Sequence, residues 1–272
     1  MTDPSIVAQG YDAVYDAMPR SPTLLRLWKE LVAGDDYPDD FYHISFITLP
    51  DLRHLARALN LSPGARFSDV ACGMGGPALW IARETGARLY GVDLSPVAVA
   101  QAQKRAQDLG LAGTGQTPAR LGATFSAGSF AETGLETAPM DAAMTVDALQ
   151  YAPDKAAALR EFARIIRPGG TLAFFAFELD PERARGLPVI GDDPVDDYRP
   201  LLRDAGFNVL QYDQTPNWHD RLFTTYSAVI DAREALREEM GEPATAAILS
   251  EMTLTLERDI YCGRVFAVAE RK

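Results

Sequence analysis

A glycine-rich segment, Asp69-Val-Ala-Cys-Gly-Met-Gly-Gly76, separates an apolar strand-like run from an amphipathic helix-like run. Glycines let a backbone turn sharply and approach a ligand closely, because no Cβ intervenes. Asp93 follows the next apolar run, Arg88–Val92, where a carboxylate can accept both hydroxyl groups of a ribose. In a doubly wound sheet the carboxyl ends of neighbouring strands form the ligand-binding edge. The pattern therefore predicts a nucleoside-containing cofactor bound by an α/β fold.

The rest of the chain fits such a fold, because short apolar runs alternate with amphipathic segments between residues 67 and 177. Strands are expected at Arg66–Ala71, Arg88–Val92, Ala123–Ser126, Asp141–Val146, Thr171–Phe177, Phe207–Tyr212 and Cys262–Ala269. Helices are expected from Pro77 to Gly86, from a Ser95 cap to Gly110, and at Asp154–Ile166, Val195–Ala205, Arg221–Met240 and Pro243–Glu257. Residues 1–60 are interpreted as an N-terminal helical cap, and residues 61–272 as the α/β domain. A helical insertion at about 219–257 precedes the last strand.

The composition of the chain limits the kinds of molecule that the protein is expected to bind. The chain has 26 Lys and Arg against 38 Asp and Glu, a formal charge of −12, and it lacks the basic cluster that a nucleic acid requires. Its longest apolar run, Leu172–Phe177, is far shorter than a membrane span, and the first residues do not resemble a signal peptide. No histidine and carboxylate cluster has metal-ligand spacing. We expect a cytoplasmic protein with a small-molecule partner, no nucleic acid, no membrane contact and no metal, and a homodimer is left open.

The glycine segment alone leaves two kinds of cofactor open. Residues 73–78 also satisfy the dinucleotide pattern G-x-G-x-x-G/A, and Tyr151 and Lys155 have the spacing of a family of hydride-transfer enzymes. Pro153 lies between them and indicates a helix start, so Tyr151 would fall before the helix. Pro77 would remove an N–H group that a dinucleotide pyrophosphate needs. A nicotinamide-dependent oxidoreductase, using NAD(P), is therefore kept as the alternative.

Four stretches taken together resemble the class I S-adenosylmethionine-dependent methyltransferases. They are Asp69–Gly76, Gly91-Val-Asp-Leu-Ser-Pro96, Asp141–Val146 and Arg167-Pro-Gly-Gly170 before an apolar strand. Their order and spacing cover about residues 65–178, and the subgroup is that of small-molecule enzymes related to quinone, sterol and actinobacterial natural-product pathways. The resemblance implies a Rossmann-like, doubly wound and mostly parallel sheet, with an antiparallel last strand and helical caps. It also implies S-adenosylmethionine as the methyl donor.

Carried over by resemblance, the cofactor would be held by residues from several segments. Its methionine part would be surrounded by Asp69, Ala71, Gly73 and Gly75, and its ribose would be held by Asp93, with Leu94 beside the adenine. The adenine edge would be followed by Gly128, Ser129 and Phe130, while Asp147 would lie near the methionine part or the acceptor, and Tyr11 and Tyr15 would cover the cofactor. Tyr11 and Tyr15 have helical i, i+4 spacing, which fits plain packing against the sheet equally well.

Two positions depart from the family pattern. Ala71 replaces the first glycine of the loop, and Ser129 stands where an aspartate usually contacts the adenine amino group. A methyl group can be tolerated at the first position, and a serine hydroxyl can still accept the adenine hydrogen bond. We expect a weakened contact at Ser129 and retained cofactor binding.

The acceptor site is less defined by the sequence. His43, His219 and Asp147 are candidate catalytic residues, because direct methyl displacement requires alignment and the removal of one proton. Residues expected to contact the acceptor are Tyr42, Gln150, Tyr151, Glu178 and Trp218. The acceptor atom is left open among O, N and C. A further alternative is a methyltransferase-like protein that binds S-adenosylmethionine but catalyses a step other than methyl transfer.

Overall fold

A computed structural model describes residues 4–38, 43–112, 122–186 and 193–272. Ten α-helices lie in the described parts: α1 Pro4–Ala17, α2 Pro22–Trp28, α3 Leu49–Leu59, α4 Gly76–Thr85, α5 Pro96–Asp108, α6 Lys155–Ile165, α7 Tyr198–Asp204, α8 Trp218–Asp231, α9 Arg233–Met240 and α10 Glu242–Arg258. The strands are β1 Arg66–Val70, β2 Arg88–Asp93, β3 Ala123–Ala127, β4 Met140–Val146, β5 Ile166–Leu179, β6 Phe207–Gln214 and β7 Tyr261–Arg271.

The strands form one seven-stranded sheet in the order β3-β2-β1-β4-β5-β7-β6. The first five strands of this order pair in parallel, and β7 runs antiparallel between β5 and β6. The chain crosses from β1 outward to β3 and then returns to β4, so the strand order reverses at β1. Ligands of such sheets bind at the carboxyl ends of the strands beside this reversal. The predicted Rossmann-like fold with an antiparallel last strand is confirmed.

Local sequence signals set several helix starts. Ser95 caps α5 through its Oγ, which accepts a hydrogen bond from the backbone N–H of Ala98 at 3.0 Å. Asp154 caps α6 in the same way, because its Oδ1 accepts from the N–H of Ala157 at 2.7 Å. Thr48 and Asp51 form a capping box at the start of α3. These side chains fix where the helices leave the edge of the sheet.

Three apolar clusters hold the layers together. Two of them pack helices on opposite faces of the sheet, and α3 belongs to one of these through Leu52, Leu55 and Leu59. The third joins α1 and α2 to α8, α9 and α10, above the carboxyl end of β5 and the amino end of the antiparallel strand β7. Among the described helices, none has both the length and the apolar character that crossing a bilayer would require.

The structure differs most from the predicted elements at two places. Strand β5 begins at Ile166 rather than Thr171, because Ile166 already pairs with Met140 before the register shifts ahead of the Ala142–Thr171 pair. The predicted helix Arg221–Met240 is two helices, α8 and α9, separated at Ala232, whose backbone (φ −83°, ψ 12°) leaves the helical range.

Candidate active site

The glycine loop, residues 69–76, follows β1 and turns back toward the end of β2. Ala71, Gly73 and Gly75 have φ values of +63°, +51° and +77°, a backbone region that favours glycine. The N–H of Gly73 donates to Oδ2 of Asp93 at 2.7 Å, and the N–H of Ser95 donates to Oδ1 at 2.9 Å. Asp93 is 6% exposed. These bonds hold its carboxylate against the loop instead of in bulk water.

Asp69 supplies a second carboxylate at the start of the same loop. It is 3% exposed, and its Oδ1 has no hydrogen-bond partner among the described residues. Burial, followed by the nearby charge of Asp93, raises the pKa of the Asp69 carboxyl well above its usual range. A buried acceptor without a partner costs stability, so a site that keeps one is suited to a ligand that donates hydrogen bonds or carries positive charge.

Helix α1 covers the loop. A Cβ placed on Gly73 would lie 2.9 Å from the Tyr15 hydroxyl, so this tyrosine sits directly on the loop backbone. The ring of Tyr11 stacks on that of Tyr15 with centroids 6.2 Å apart. Further along the helix, Asp12 accepts a hydrogen bond from the Ser95 hydroxyl. Helix α1 is therefore tied to both β-strand ends that carry Asp69 and Asp93.

The residues predicted for the adenine side lie beyond Asp93. Leu94 is 41% exposed, although it is a large apolar side chain. Gly128 is closely packed, because a Cβ there would lie 2.7 Å from Val92 Cγ1. The Ser129 hydroxyl accepts a hydrogen bond from the N–H of Glu132 at 3.1 Å, and Phe130 packs on Phe162.

A second cluster of side chains lies next to Tyr11, under the helical layer. Tyr151 donates a hydrogen bond to Oε1 of Glu251 on α10, and the Tyr11 ring meets the Tyr151 ring edge-on at 6.3 Å. Burial, followed by Glu251, raises the pKa of Tyr151. We call the group formed by Glu251 and the surrounding tyrosines the tyrosine cluster; its members are Tyr11, Tyr15, Tyr151, Tyr226, Glu251 and Tyr261.

Asp147 occupies the end of β4 in a left-handed backbone conformation with φ +51°. Its two oxygens accept from Nε and Nη2 of Arg264 at 2.8 and 3.0 Å, and Oδ2 also accepts from the N–H of Phe46 at 2.7 Å. Arg264 is 1% exposed and lies over the rings of Phe175 and Phe177. Asp147 thus joins β4, β7 and the segment before α3.

The two candidate histidines lie in separate places. The Nδ1 atom of buried His43 lies 2.8 Å from the Ser45 hydroxyl, and its ring stacks on Tyr37. Burial, together with Arg105, lowers the pKa of His43 to about 3, so its imidazole is neutral near pH 7. His219, on the first turn of α8, lies 3.0 Å from Asp259 and stacks on Phe223.

The residues predicted to contact the acceptor are only partly brought together. Tyr151 and Trp218 line the helical side, where Trp218 packs edge-on against Phe177. Buried Gln150 donates to the carbonyl of Asp147 at 2.7 Å. Glu178 lies with Tyr212 and Gln214, both of which donate to it, apart from the tyrosine cluster. Tyr42 lies outside the described residues.

Tyr151 and Lys155 do not form a hydride-transfer pair. Tyr151 lies in a 3₁₀ turn, Leu149–Tyr151, and bonds to Glu251. The buried Nζ of Lys155 bonds to Asp193 at 2.8 Å and to the Ala152 carbonyl at 3.0 Å. Their spacing in the sequence therefore has no chemical meaning here.

Comparisons with known proteins agree with this geometry. Residues 68–174 match a family model described as a methyltransferase domain. The chain is 28% identical over 261 residues, 90% of its length and 88% of the relative's, to the 27-O-demethylrifamycin SV methyltransferase of Amycolatopsis mediterranei.

Solved structures share the fold. The 4+2 cyclase SpnF superposes with a TM-score of 0.71 at 21% identity, covering 97% of this chain and 94% of that one. The phosphoethanolamine N-methyltransferase 2 of Haemonchus contortus, in complex with S-adenosyl-L-methionine, gives a TM-score of 0.65 at 17% identity, covering 91% of this chain and 56% of that one.

The comparisons support a class I S-adenosylmethionine-dependent methyltransferase of the small-molecule type. The residues present fit this cofactor, because its amino and sulfonium groups are positive and its ribose hydroxyls donate hydrogen bonds. The unpartnered oxygen of Asp69 and the loop-bound carboxylate of Asp93 are acceptors of the required kind. The predicted cofactor and enzyme class are confirmed, and the oxidoreductase alternative is not favoured.

Sequence reasoning missed two charged residues that shape this region, Arg264 and Glu251. Arg264 lies in β7, a strand predicted only as an apolar run. Glu251 lies on α10 at helical spacing from the buried residues Ile248 and Thr255. A carboxylate within the buried stripe of an amphipathic helix is a signal that could have identified it.

Proposed function

We propose that this methyltransferase acts on a small, largely apolar metabolite that binds beside the tyrosine cluster, near the place where the cluster meets the glycine loop. The observation that carries this proposal is the contact of Tyr15 with Gly73 on one side and of Tyr11 with Tyr151 on the other. Buried aromatic side chains, Trp28, Phe46, Phe177 and Tyr226, extend the apolar surface beyond the cluster. Apolar pockets with a few polar groups are typical of small-ligand sites.

The name of the rifamycin relative supports an acceptor from natural-product metabolism. We propose that residues 1–60 and about 219–257 act as caps over the acceptor, since α1 packs against α10 and α2 against α8. A cytoplasmic location, the exclusion of nucleic acid and of a metal, and a homodimer stay predictions from the sequence.

We assign cofactor contacts residue by residue. Asp69, Ala71, Gly73 and Gly75 would hold the methionine part, and Asp93 the ribose. Leu94 and the segment Gly128–Phe130 would contact the adenine, a role that the exposure of the Leu94 side chain supports. Tyr11 and Tyr15 would cover the sulfonium, and an aromatic face over a cation contributes about 0.5–2 kcal/mol.

When bound, S-adenosylmethionine supplies a methyl carbon that is already activated by the positive sulfur. The chain's own residues then have to align the acceptor, exclude water and take up one proton. Helix α1 excludes water, because it closes over the loop through Tyr15 and Asp12. The two hydrogen bonds to Arg264 support a positioning role for Asp147, rather than proton transfer. The low pKa of His43, about 3, makes its imidazole a weak base, which argues against it as the proton acceptor.

Calorimetry and product analysis test the proposed function. We expect the native protein to bind S-adenosylhomocysteine and not NADH. The variant Asp93→Ala should bind it about 10- to 100-fold more weakly, since hydrogen bonds to charged groups contribute about 1.5–3 kcal/mol. Asp108→Ala is the matched control, because Asp108 is exposed and pairs with exposed Lys104 on α5. Binding of NADH without S-adenosylhomocysteine would refute the proposal. Tight cofactor binding with products that never gain a methyl group would favour the non-methylating alternative.

A further inference from the structure

Glu251 is a carboxylate among aromatic side chains. Its neighbours come from four parts of the fold: Tyr11 and Tyr15 from α1, Tyr151 from the turn after β4, Tyr226 from α8 and Tyr261 from β7. Helix α9 also packs on α10, and three of its charged residues are engaged elsewhere: Arg237 pairs with Glu234 and Glu242, and Glu239 bonds to Ser21 and Thr23. Burial raises the pKa of the Glu251 carboxyl, and the Tyr151 hydrogen bond lowers it in part.

The two oxygens of Glu251 have different roles. Oε1 accepts the hydrogen bond from the Tyr151 hydroxyl, which fixes the orientation of the carboxylate. Oε2 receives no hydrogen bond from the residues that the structure describes. One oxygen is therefore held in place while the other can still accept a proton.

The carboxylate is linked to the glycine loop through tyrosine side chains. Tyr15 lies on Gly73, and burial, Asp93 and Glu251 all raise the pKa of its hydroxyl. Tyr11 bridges Tyr15 and Tyr151 by ring contacts at 6.2 and 6.3 Å. Tyr15, Tyr11 and Tyr151 thus link the loop to Glu251, and the first two are the side chains that face the bound cofactor under the proposed function.

We propose that Oε2 of Glu251 accepts the proton of a hydroxyl group on the acceptor, so that the methyl group is transferred to oxygen. This inference rests on the proposed function. The acceptor oxygen forms a bond to the methyl carbon, the carbon–sulfur bond breaks with its electron pair going to sulfur, and the hydroxyl proton moves to Glu251. Tyr151 is a positioning residue, because it acts through Glu251.

A hydroxyl acceptor matches this environment better than an ammonium does. A hydroxyl loses its one proton as it is methylated, and Oε2 can take that proton up, whereas an ammonium has no lone pair and must lose a proton before it can accept the methyl group. An ammonium would be attracted by the same carboxylate, so the test below includes one. A carboxylate made more basic by burial is also a better proton acceptor.

Binding of three probes to the protein saturated with S-adenosylhomocysteine tests this assignment. The probes are naphthol, its methyl ether and naphthylmethylamine, measured by calorimetry. We expect native protein to prefer naphthol to the ether about tenfold or more, since the hydroxyl bonds to a charged oxygen. Glu251→Gln should reduce this preference severalfold. Glu239→Gln, which changes a carboxylate outside the tyrosine cluster, should leave it unchanged.

The pH dependence separates a proton acceptor from a packing residue. The preference for naphthol should grow as pH rises through the pKa of Glu251 and be independent of pH in Glu251→Gln. Tyr151→Phe removes the bond that lowers this pKa, so the rise should move to higher pH. Equal binding of naphthol and ether to native protein, binding of neither, or tighter binding of the amine would overturn the assignment. Failure of native protein to bind S-adenosylhomocysteine would instead refute the proposed function.

Discussion

The glycine loop and the tyrosine cluster meet at Tyr15, but they are built in different ways. The loop and its carboxylates come from one stretch, Asp69–Ser95, and backbone N–H groups hold Asp93 in place. The tyrosine cluster is assembled from side chains of α1, α8, α10, β7 and the turn after β4. A site made by backbone geometry has a local sequence pattern, whereas a site made by side-chain packing depends on how distant elements meet.

The largest effect is expected at the ion pair beside the cluster. Asp147→Ala would leave the buried charge of Arg264 unpaired, and the free energy of unfolding should fall by about 3–5 kcal/mol. Asp108→Ala, which breaks an exposed pair on α5, should cost no more than about 1 kcal/mol. Denaturant unfolding measures both variants. Equal losses of unfolding free energy in the two variants would show that the fold beside the tyrosine cluster does not depend on this buried ion pair.

The features that could be predicted from the sequence belong to the glycine loop and the helix caps, and those that could not belong to the tyrosine cluster. The glycine loop, Asp93, and the Ser95 and Asp154 caps could be predicted because each acts on backbone within a few residues. Glu251 lies 100 residues from Tyr151, and only the path of the chain between β6 and β7 brings them together. The start of β5 was missed for a related reason, since pairing with Met140 decides it, not the Pro-Gly-Gly sequence.

A pair of glycine variants separates the cost of an unfavourable backbone conformation from the cost of a collision with a side chain. Gly73 and Gly110 have φ values of +51° and +68°, so alanine at either should cost about 1–2 kcal/mol of stability. A Cβ at Gly73 would also collide with Tyr15, whereas one at Gly110 meets nothing within 4 Å. Gly73→Ala alone should therefore weaken S-adenosylhomocysteine binding in calorimetry. Equal affinities in the two variants would show that α1 does not close on the loop.

The smallest expected effect is that of Asp69→Asn, which should raise the stability of the protein and lower its affinity for the cofactor. Because the folded-state pKa of Asp69 is raised, the folded protein loses stability as pH rises from the unfolded-state pKa through the folded one. Asp69→Asn removes this loss, so the variant should be more stable near pH 7 by about 1 kcal/mol. Its affinity for S-adenosylhomocysteine should nevertheless fall.

Thermal unfolding across pH, followed by calorimetry, measures both quantities. The stability difference between native protein and Asp69→Asn should vanish at acidic pH, where both side chains are neutral. Exposed Asp213 is the matched position for an Asp→Asn control, and it should show neither effect. An Asp69→Asn variant that is less stable than the native protein at pH 7 would contradict the raised pKa of the buried Asp69 carboxyl.

The glycine loop and the tyrosine cluster should face one ligand space, and a crystal structure with S-adenosylhomocysteine tests this most directly. We expect the ribose hydroxyls on Asp93, the amino group on Asp69, and the sulfur directed past Tyr15 toward Glu251. A ligand whose sulfur points away from the tyrosine cluster, or a ribose that leaves Asp93 bound only to Gly73 and Ser95, would contradict it.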